Sequence, residues 1–157
     1  MCSSDLIDLL VTNDQGQEAV IDLKWGGGKY RAAELKENRA LQLALYAWLR
    51  KKEGRWPAQA YYILSESRFL AQNRDYFPLA TLCPPADDNA HAGTLWVEFE
   101  KAWRWRREQF DRGLVEVTVT GTSADGDSSP PEDALAIPET SNKFNDFRSL
   151  TGWKEGA

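Results

Sequence analysis

A carboxylate and an amine stand two residues apart in a short hydrophobic run, Val20-Ile21-Asp22-Leu23-Lys24. Side chains alternate along a strand, so Asp22 and Lys24 point the same way. Inside an apolar strand such charges are costly unless paired or bound. Taken alone, the pair reads equally well as a partly buried salt bridge. A second carboxylate changes that reading. Asp8 lies in Asp5-Leu-Ile-Asp-Leu-Leu-Val11, which reads as a preceding strand, and Thr12-Asn-Asp-Gln-Gly16 is a turn signal between the two. If Asp14-Gln15-Gly16 is a hairpin loop with Gly16 at positive φ, Asn13 faces Gln17, and counting back sets Asp8 opposite Asp22. Two ionised carboxylates about 5 Å apart repel. A hard divalent cation with oxygen ligands is the natural counter-charge, with Lys24 as another. A slip of one residue would undo the pairing.

The elements that must position these groups follow from the pattern. Val20 and Ile21 suit a buried strand. Trp25-Gly-Gly-Gly28 is a flexible exit, and the stretch from Arg31 to Lys52, without Pro or Gly, predicts one long helix ended by Gly54 and Pro57. Gln42 and Tyr46 are four apart and share a helical face. Read structurally, Tyr46 is core and Gln42 covers it. Gly26-Gly-Gly-Lys29 is not a phosphate loop, because Tyr30 stands where a hydroxyl must hold magnesium and the first Gly is missing.

Ile7-Asp8, Ile21-Asp22-Leu23-Lys24 and Gln42-Leu-Ala-Leu-Tyr46, in this order and spacing, resemble the PD-(D/E)XK nuclease superfamily, and within it the RecB-type branch. The likeness covers Asp5 to Leu49. It departs from the family at Leu23, usually Tyr, at Trp25, commonly Thr or Ser, and at Asp5, where a Gly would stand. Asp5 is an alternative ligand; Asp8 is preferred because an apolar residue precedes it and the hairpin count favours it. The family's preceding helices, with their further Glu or His ligand, have no counterpart here, so the resemblance implies an N-terminally truncated copy of a longer protein.

The resemblance implies an α/β (α+β) fold with a restriction-endonuclease-like core, a central mixed β-sheet flanked by helices. It implies a Mg²⁺- or Mn²⁺-dependent deoxyribonuclease, exonuclease-like, acting in DNA repair, recombination or defence. Asp8, Asp22 and the backbone carbonyl of Leu23 would hold the ion, Lys24 would orient the attacking water, and Gln42 and Tyr46 would shape the site. DNA is the implied partner, with a helicase subunit or the rest of a parent protein as a second. Some relatives carry an iron–sulfur cluster on four cysteines. The chain has two, Cys2 and Cys83, so none is expected. Two other classes stay open: a catalytically incomplete nuclease fold that binds DNA ends or scaffolds a helicase complex, and a protein-interaction domain in which Asp22 and Lys24 form only a salt bridge.

Composition bounds the rest. With 157 residues, 42% hydrophobic and 27% charged, the chain is a globular one with a single main domain. No stretch of eighteen apolar residues or signal peptide is present, so no membrane span is expected. Two cysteines fit a reducing, cytoplasmic setting. His91, the single histidine, reads as a surface loop residue. A net charge of −5 argues against general coating of nucleic acid, yet residues 24–55 hold nine Lys or Arg against three Glu, either a local phosphate-neutralising face or a solvated helix face.

Residues 58–64 and 68–71 predict a further hairpin, 72–92 a loop, and Thr94 the N-cap of a helix ending near Gly113. Trp96, Phe99, Trp103 and Phe110 form a stripe read as core rather than as a stacking platform, with Arg104, Arg106 and Arg107 off it. Residues 114–120 alternate like an edge strand. The organisation expected is a nuclease-like domain over 1–120, a disordered linker over 121–140 and a docking segment over 141–157, where Phe144, Phe147, Leu150 and Trp153 recur every third residue.

Overall fold

Glu18-Ala-Val-Ile-Asp-Leu-Lys24 is buried on both sides over most of its length, which is why apolar residues fill it almost without interruption. In the computed structural model, which describes residues 7–114 and 130–136, this run is the second strand of a five-stranded mixed sheet. The strands are β1 (Leu9–Thr12), β2 (Glu18–Lys24), β3 (Ala58–Ile63), β4 (Arg68–Ala71) and β5 (Thr81–Leu82), ordered β1-β2-β3-β4-β5. The β1–β2 and β3–β4 pairs are antiparallel, and β2–β3 and β4–β5 are parallel. A mixed sheet with helices against it is the architecture expected from the sequence.

The first hairpin has the expected register. Leu9 pairs with Ile21 and Thr12 with Glu18. Asn13 donates its amide to the Gln17 carbonyl at 3.0 Å, and Gly16 closes the loop at φ 74°, where a side chain would be strained. The Asn13 carboxamide oxygen accepts the amides of Gln15 and Gln17, so the turn is held by its own side chain. β1 is shorter than expected: Ile7 and Asp8 are already bent out of the strand.

A parallel β2–β3 pair needs a crossover, and helices provide it. The sequence predicts one helix over 31–52; the structure has two, α1 (Gly28–Lys36) and α2 (Leu41–Arg50). The chain breaks at Asn38, which adopts φ 49°, a left-handed conformation Asn tolerates better than most residues. The Asn38 amide group donates to the His91 carbonyl and the Thr94 hydroxyl, both at 3.3 Å, which holds the break in place. Apolar periodicity cannot reveal such a break, because no Pro or Gly marks it.

The helices cover one face of the sheet. Leu35 of α1 and Leu43 of α2 pack with Tyr61, Ile63, Leu70 and Cys83, while Tyr46 and Ala47 pack on Val20. Burying Leu43 completely contributes about 2 kcal/mol. On the opposite face, Ala19, Ile21, Ala60 and Ala71 lie under Phe77 and Ala80 from the β4–β5 connection.

The third helix, α3 (Ala92–Asp111), begins two residues before Thr94. Thr94 is therefore not the N-cap; its hydroxyl accepts the His91 amide at 3.0 Å from inside the first turn. His91 is an exposed loop residue, as expected. Two compact units, 1–97 and 98–157, divide the chain within α3. In the first, Trp96 stacks on Trp48 of α2 with centroids 4.8 Å apart. In the second, Trp103 and Phe110 are 53% and 47% exposed, so the expected aromatic stripe is not a uniform core. Gln109 is buried instead. Residues 130–136, within the expected linker, form a turn: the Leu135 amide donates to the Glu98 carbonyl at 2.9 Å, and Lys101 pairs with Asp133. The expected edge strand beyond Leu114, the rest of the linker and the docking segment lie outside the described residues. Among the described residues no helix is long and apolar enough to cross a membrane.

Candidate active site

The site is built at the end of β2, where the sheet face meets α1 and α2. Asp22 lies on the helix-covered side with no exposed surface. Alternation sets Lys24 beside it, and the ammonium Nζ stands 2.7 Å from Asp22 Oδ2. The contact is an ion pair without hydrogen-bond geometry, because neither Asp22 oxygen accepts a hydrogen bond among the described residues. Lys24 directs a hydrogen bond to Gln42 Oε1 at 3.1 Å, and Gln42 Nε2 donates to the Tyr46 hydroxyl at 2.6 Å. A polar chain thus runs from β2 into α2. The i, i+4 spacing of Gln42 and Tyr46 makes their contact possible, and Tyr46, packed on Val20, anchors it. Tyr46 is therefore both core and site wall.

Asp8 enters from the neighbouring strand. Continuing the observed register by one residue sets it across from Asp22. The Leu23 amide donates to Asp8 Oδ2 at 2.9 Å. Hydrogen-bonded pairs recur at every second position from Asn13–Gln17, so Leu23 is next in line for a ladder partner. The bend at Ile7 and Asp8 removes the backbone partner and substitutes a carboxylate. A residue's N–H and C=O point to the same side of a strand, so the Leu23 carbonyl also faces Asp8. Ile7 packs against the Val20, Tyr46 and Ala47 cluster, which fixes the position of the bend.

The electrostatics follow from this packing. Burial pushes the Asp22 carboxyl above the ordinary carboxylate range. The Lys24 ammonium opposes the shift, and the Asp8 carboxylate adds to it. Two carboxylates and one ammonium leave a net negative charge when all are ionised. Among the described residues neither buried Asp22 oxygen accepts a well-formed hydrogen bond, an expensive state that a hard cation would relieve. The donor set of Asp8, Asp22 and the Leu23 carbonyl is all oxygen, as Mg²⁺ or Mn²⁺ requires. Among the described residues no group of three or more His, Cys, Asp or Glu side chains could hold a metal. Asp5 lies outside the described residues.

Three residues not singled out in the sequence form a linked group that begins at Tyr61, the sheet neighbour of Asp22. Tyr61 of β3 is the register partner of Asp22. Its hydroxyl donates to Glu34 Oε2 at 3.1 Å, and Arg31 Nη1 donates to the same oxygen at 2.7 Å. Burial raises the Tyr61 phenol well above its ordinary pKa, with Glu34 and Asp22 adding to the shift, so Tyr61 stays a donor. The i, i+3 spacing of Arg31 and Glu34 is visible in the sequence; their approach to Tyr61 depends on the crossover. Much of the basic excess over residues 24–55 is paired as well. Arg50 and Lys52 hold Glu18 at 2.9 and 2.6 Å, and Arg39 pairs with Glu37. A cleft of about 760 Å³ lies at the other end of β2, lined by Glu18, Arg50 and Trp56, away from Asp22 and Lys24.

No match is found among curated proteins, and none among solved structures. A family model, the PD-(D/E)XK nuclease superfamily, matches residues 5–136, a span that contains the whole sheet, all three helices and the Asp8–Asp22–Lys24 cluster. The chain therefore belongs to the PD-(D/E)XK nuclease superfamily, whose members are generally nucleases that use divalent metal ions.

Proposed function

We propose that this chain is a metal-dependent DNA nuclease of the RecB type, hydrolysing phosphodiesters at the end of β2. The observation that carries this reading is the buried Asp22 carboxylate, which accepts no well-formed hydrogen bond among the described residues and has the Lys24 ammonium and the Asp8 carboxylate as neighbouring charges. The RecB-type assignment draws on the order Asp8, Asp22-Leu-Lys24, Gln42-x-x-x-Tyr46 and on the Lys24–Gln42–Tyr46 chain of contacts. Asp8, Asp22 and the Leu23 carbonyl would hold Mg²⁺ or Mn²⁺, since Mg²⁺ commonly takes one or two carboxylates and completes its shell with water and substrate phosphate. Such an ion supplies Lewis acidity toward a phosphate oxygen. Lys24, held by Gln42 and partly exposed, orients the attacking water and stabilises charge developing at phosphorus. Gln42 keeps the ammonium aimed by accepting its hydrogen bond, and Tyr46 fixes Gln42 in turn. An exonuclease-like role in repair, recombination or defence is the biological form of this proposal.

The test is cleavage of linear single- and double-stranded DNA with Mg²⁺ or Mn²⁺ against EDTA, for wild type and Asp22→Ala. Metal-dependent cleavage lost in the variant is the expected result; cleavage retained by Asp22→Ala would remove this site. The two-carboxylate donor set favours one second reading, a nuclease fold that binds DNA ends without cutting them. A folded wild type that binds DNA but shows no cleavage and no heat of Mg²⁺ binding would select it.

A further inference from the structure

We propose that the first turn of α1 is a clamp for an unpaired nucleic-acid strand, in which Arg31 takes a backbone phosphate and the Tyr30 ring takes a base. The proposal rests on the nuclease reading above and names the form of substrate it favours. The Arg31 guanidinium lies between two rings, 4.9 Å from the Tyr30 centroid and 5.5 Å from the Tyr61 centroid. Glu34 Oε2 holds Nη1 at 2.7 Å and is itself fixed by the Tyr61 hydroxyl. Three contacts thus set the plane and direction of a side chain that is otherwise among the most mobile. A guanidinium has five N–H donors, and among the described residues only the Nη1 group has an acceptor. The side chain is 26% exposed, so the cation reaches the surface rather than closing in the core.

Its position ties it to the candidate site. Tyr61 is the neighbour of Asp22 across two strands about 4.8 Å apart. A guanidinium over Tyr61 is therefore one side chain removed from Asp22, on the α1 side of the strand pair. Tyr30 is 64% exposed, with Arg31 on one side of its ring, and no aromatic partner among the described residues covers the other. An exposed ring backed by a fixed cation suits stacking of a base and contact with its phosphate together. A base inside a duplex keeps its faces stacked on its neighbours, so this arrangement selects an unpaired strand. Glu34 and Tyr61 act as positioning residues.

The experiment is binding of a labelled single-stranded oligonucleotide and of a blunt duplex, measured by anisotropy in EDTA across a salt series. Arg31→Ala should bind the single strand about tenfold more weakly, with the log–log salt slope reduced by roughly 0.7, the value of one phosphate contact on a single strand. Arg31→Lys should recover the slope and part of the affinity. Tyr30→Ala should lose about fivefold on the single strand and little on the duplex. Glu34→Gln, which keeps an acceptor for Tyr61 but removes the competing charge, should tighten binding severalfold; a merely structural pair would instead lower the melting temperature and leave affinity unchanged. Wild-type binding that Arg31→Ala leaves unchanged in affinity and slope would overturn the clamp and leave the nuclease reading standing. Equal losses on both substrates for Tyr30→Ala would overturn the single-strand selectivity. If Arg31→Ala does not fold, Arg31→Lys, Tyr30→Ala and Glu34→Gln decide the question. A wild type that binds neither substrate would overturn the clamp, while the nuclease reading is decided separately by the metal-dependent cleavage assay.

Discussion

Asp22 is held in a state that costs the folded protein stability. Its carboxyl is buried, its folded pKa is raised, and its ionic partner is the Lys24 ammonium. A raised carboxyl pKa means the native state holds this proton more tightly than the unfolded chain does. Through this group, stability is highest below the ordinary Asp value and falls as pH rises through the raised one. Thermal melts in EDTA at stepped pH should show that fall, and Asp22→Asn should flatten it. The same variant should raise the metal-free melting temperature by a few degrees, equivalent to about 1 kcal/mol, because it removes a buried charge. An unchanged profile would mean that Asp22 is satisfied in solution. Lys24→Ala should keep Mg²⁺ binding in calorimetry and lose a hundredfold or more in turnover, a size typical for removal of one stabilising donor. Unchanged turnover would remove Lys24 from the chemistry.

The elements explain why the Asp8 carboxylate comes to the end of β2 that holds Asp22. Register in an antiparallel pair is set by the turn, and this turn has Gly16 at φ 74° with open space where a Cβ would stand. Gly16→Ala should cost about 1 kcal/mol from backbone strain alone, read as a lower denaturant midpoint with unchanged slope. A cost above 3 kcal/mol would point to a contact the structure does not contain. α1 meets a different constraint. A Cβ on Gly28 would come within 2.6 Å of the Glu66 carboxylate, and Glu66 is paired with Arg68. Gly28→Ala should therefore destabilise, and Glu66→Ala in the same chain should recover part of the loss, since the obstacle is the far end of a flexible side chain. The recovery is measurable as a coupling energy in a double-mutant cycle.

At the scale of the whole molecule, charge and metal act together. The chain carries −5, and the candidate site adds negative charge where a phosphate backbone would have to approach. A divalent ion at Asp8 and Asp22 would change the sign of that local field and stabilise the native state by mass action. Adding Mg²⁺ or Mn²⁺ at a hundredfold excess over its dissociation constant should raise stability by about 2.7 kcal/mol in the wild type and by much less in Asp22→Asn. Equal shifts in both proteins would place ion binding elsewhere. DNA binding should also strengthen with millimolar Mg²⁺ before any cleavage is seen, in contrast to the ordinary weakening of protein–DNA contacts by salt.

Much of the first hairpin was legible before any coordinates. The apolar run of β2, the Asx-type turn and a glycine at its end are local signals, and together they set the observed register, Leu9 opposite Ile21, whose continuation points Asp8 toward Asp22. The pairing of Gln42 with Tyr46 is local too, because it depends only on helical spacing. The break at Asn38 was not legible, since an Asn in a left-handed conformation looks like any polar residue until the His91 carbonyl and the Thr94 hydroxyl arrive from 53 and 56 residues away. The exposure of Trp103 and Phe110 was equally hidden, because a hydrophobic stripe states what can be buried and not what is there to bury it. The sequence by itself determined the candidate groups, the apolar strand that holds Asp22 and Lys24, and the register of the β1–β2 hairpin. Only the tertiary structure decided that Asp22 is fully buried beside Lys24 and that Lys24 reaches Gln42. It alone linked Glu34 and Arg31 to Tyr61 beside Asp22, because those contacts exist only once the crossover has laid α1 and α2 over a parallel pair of strands.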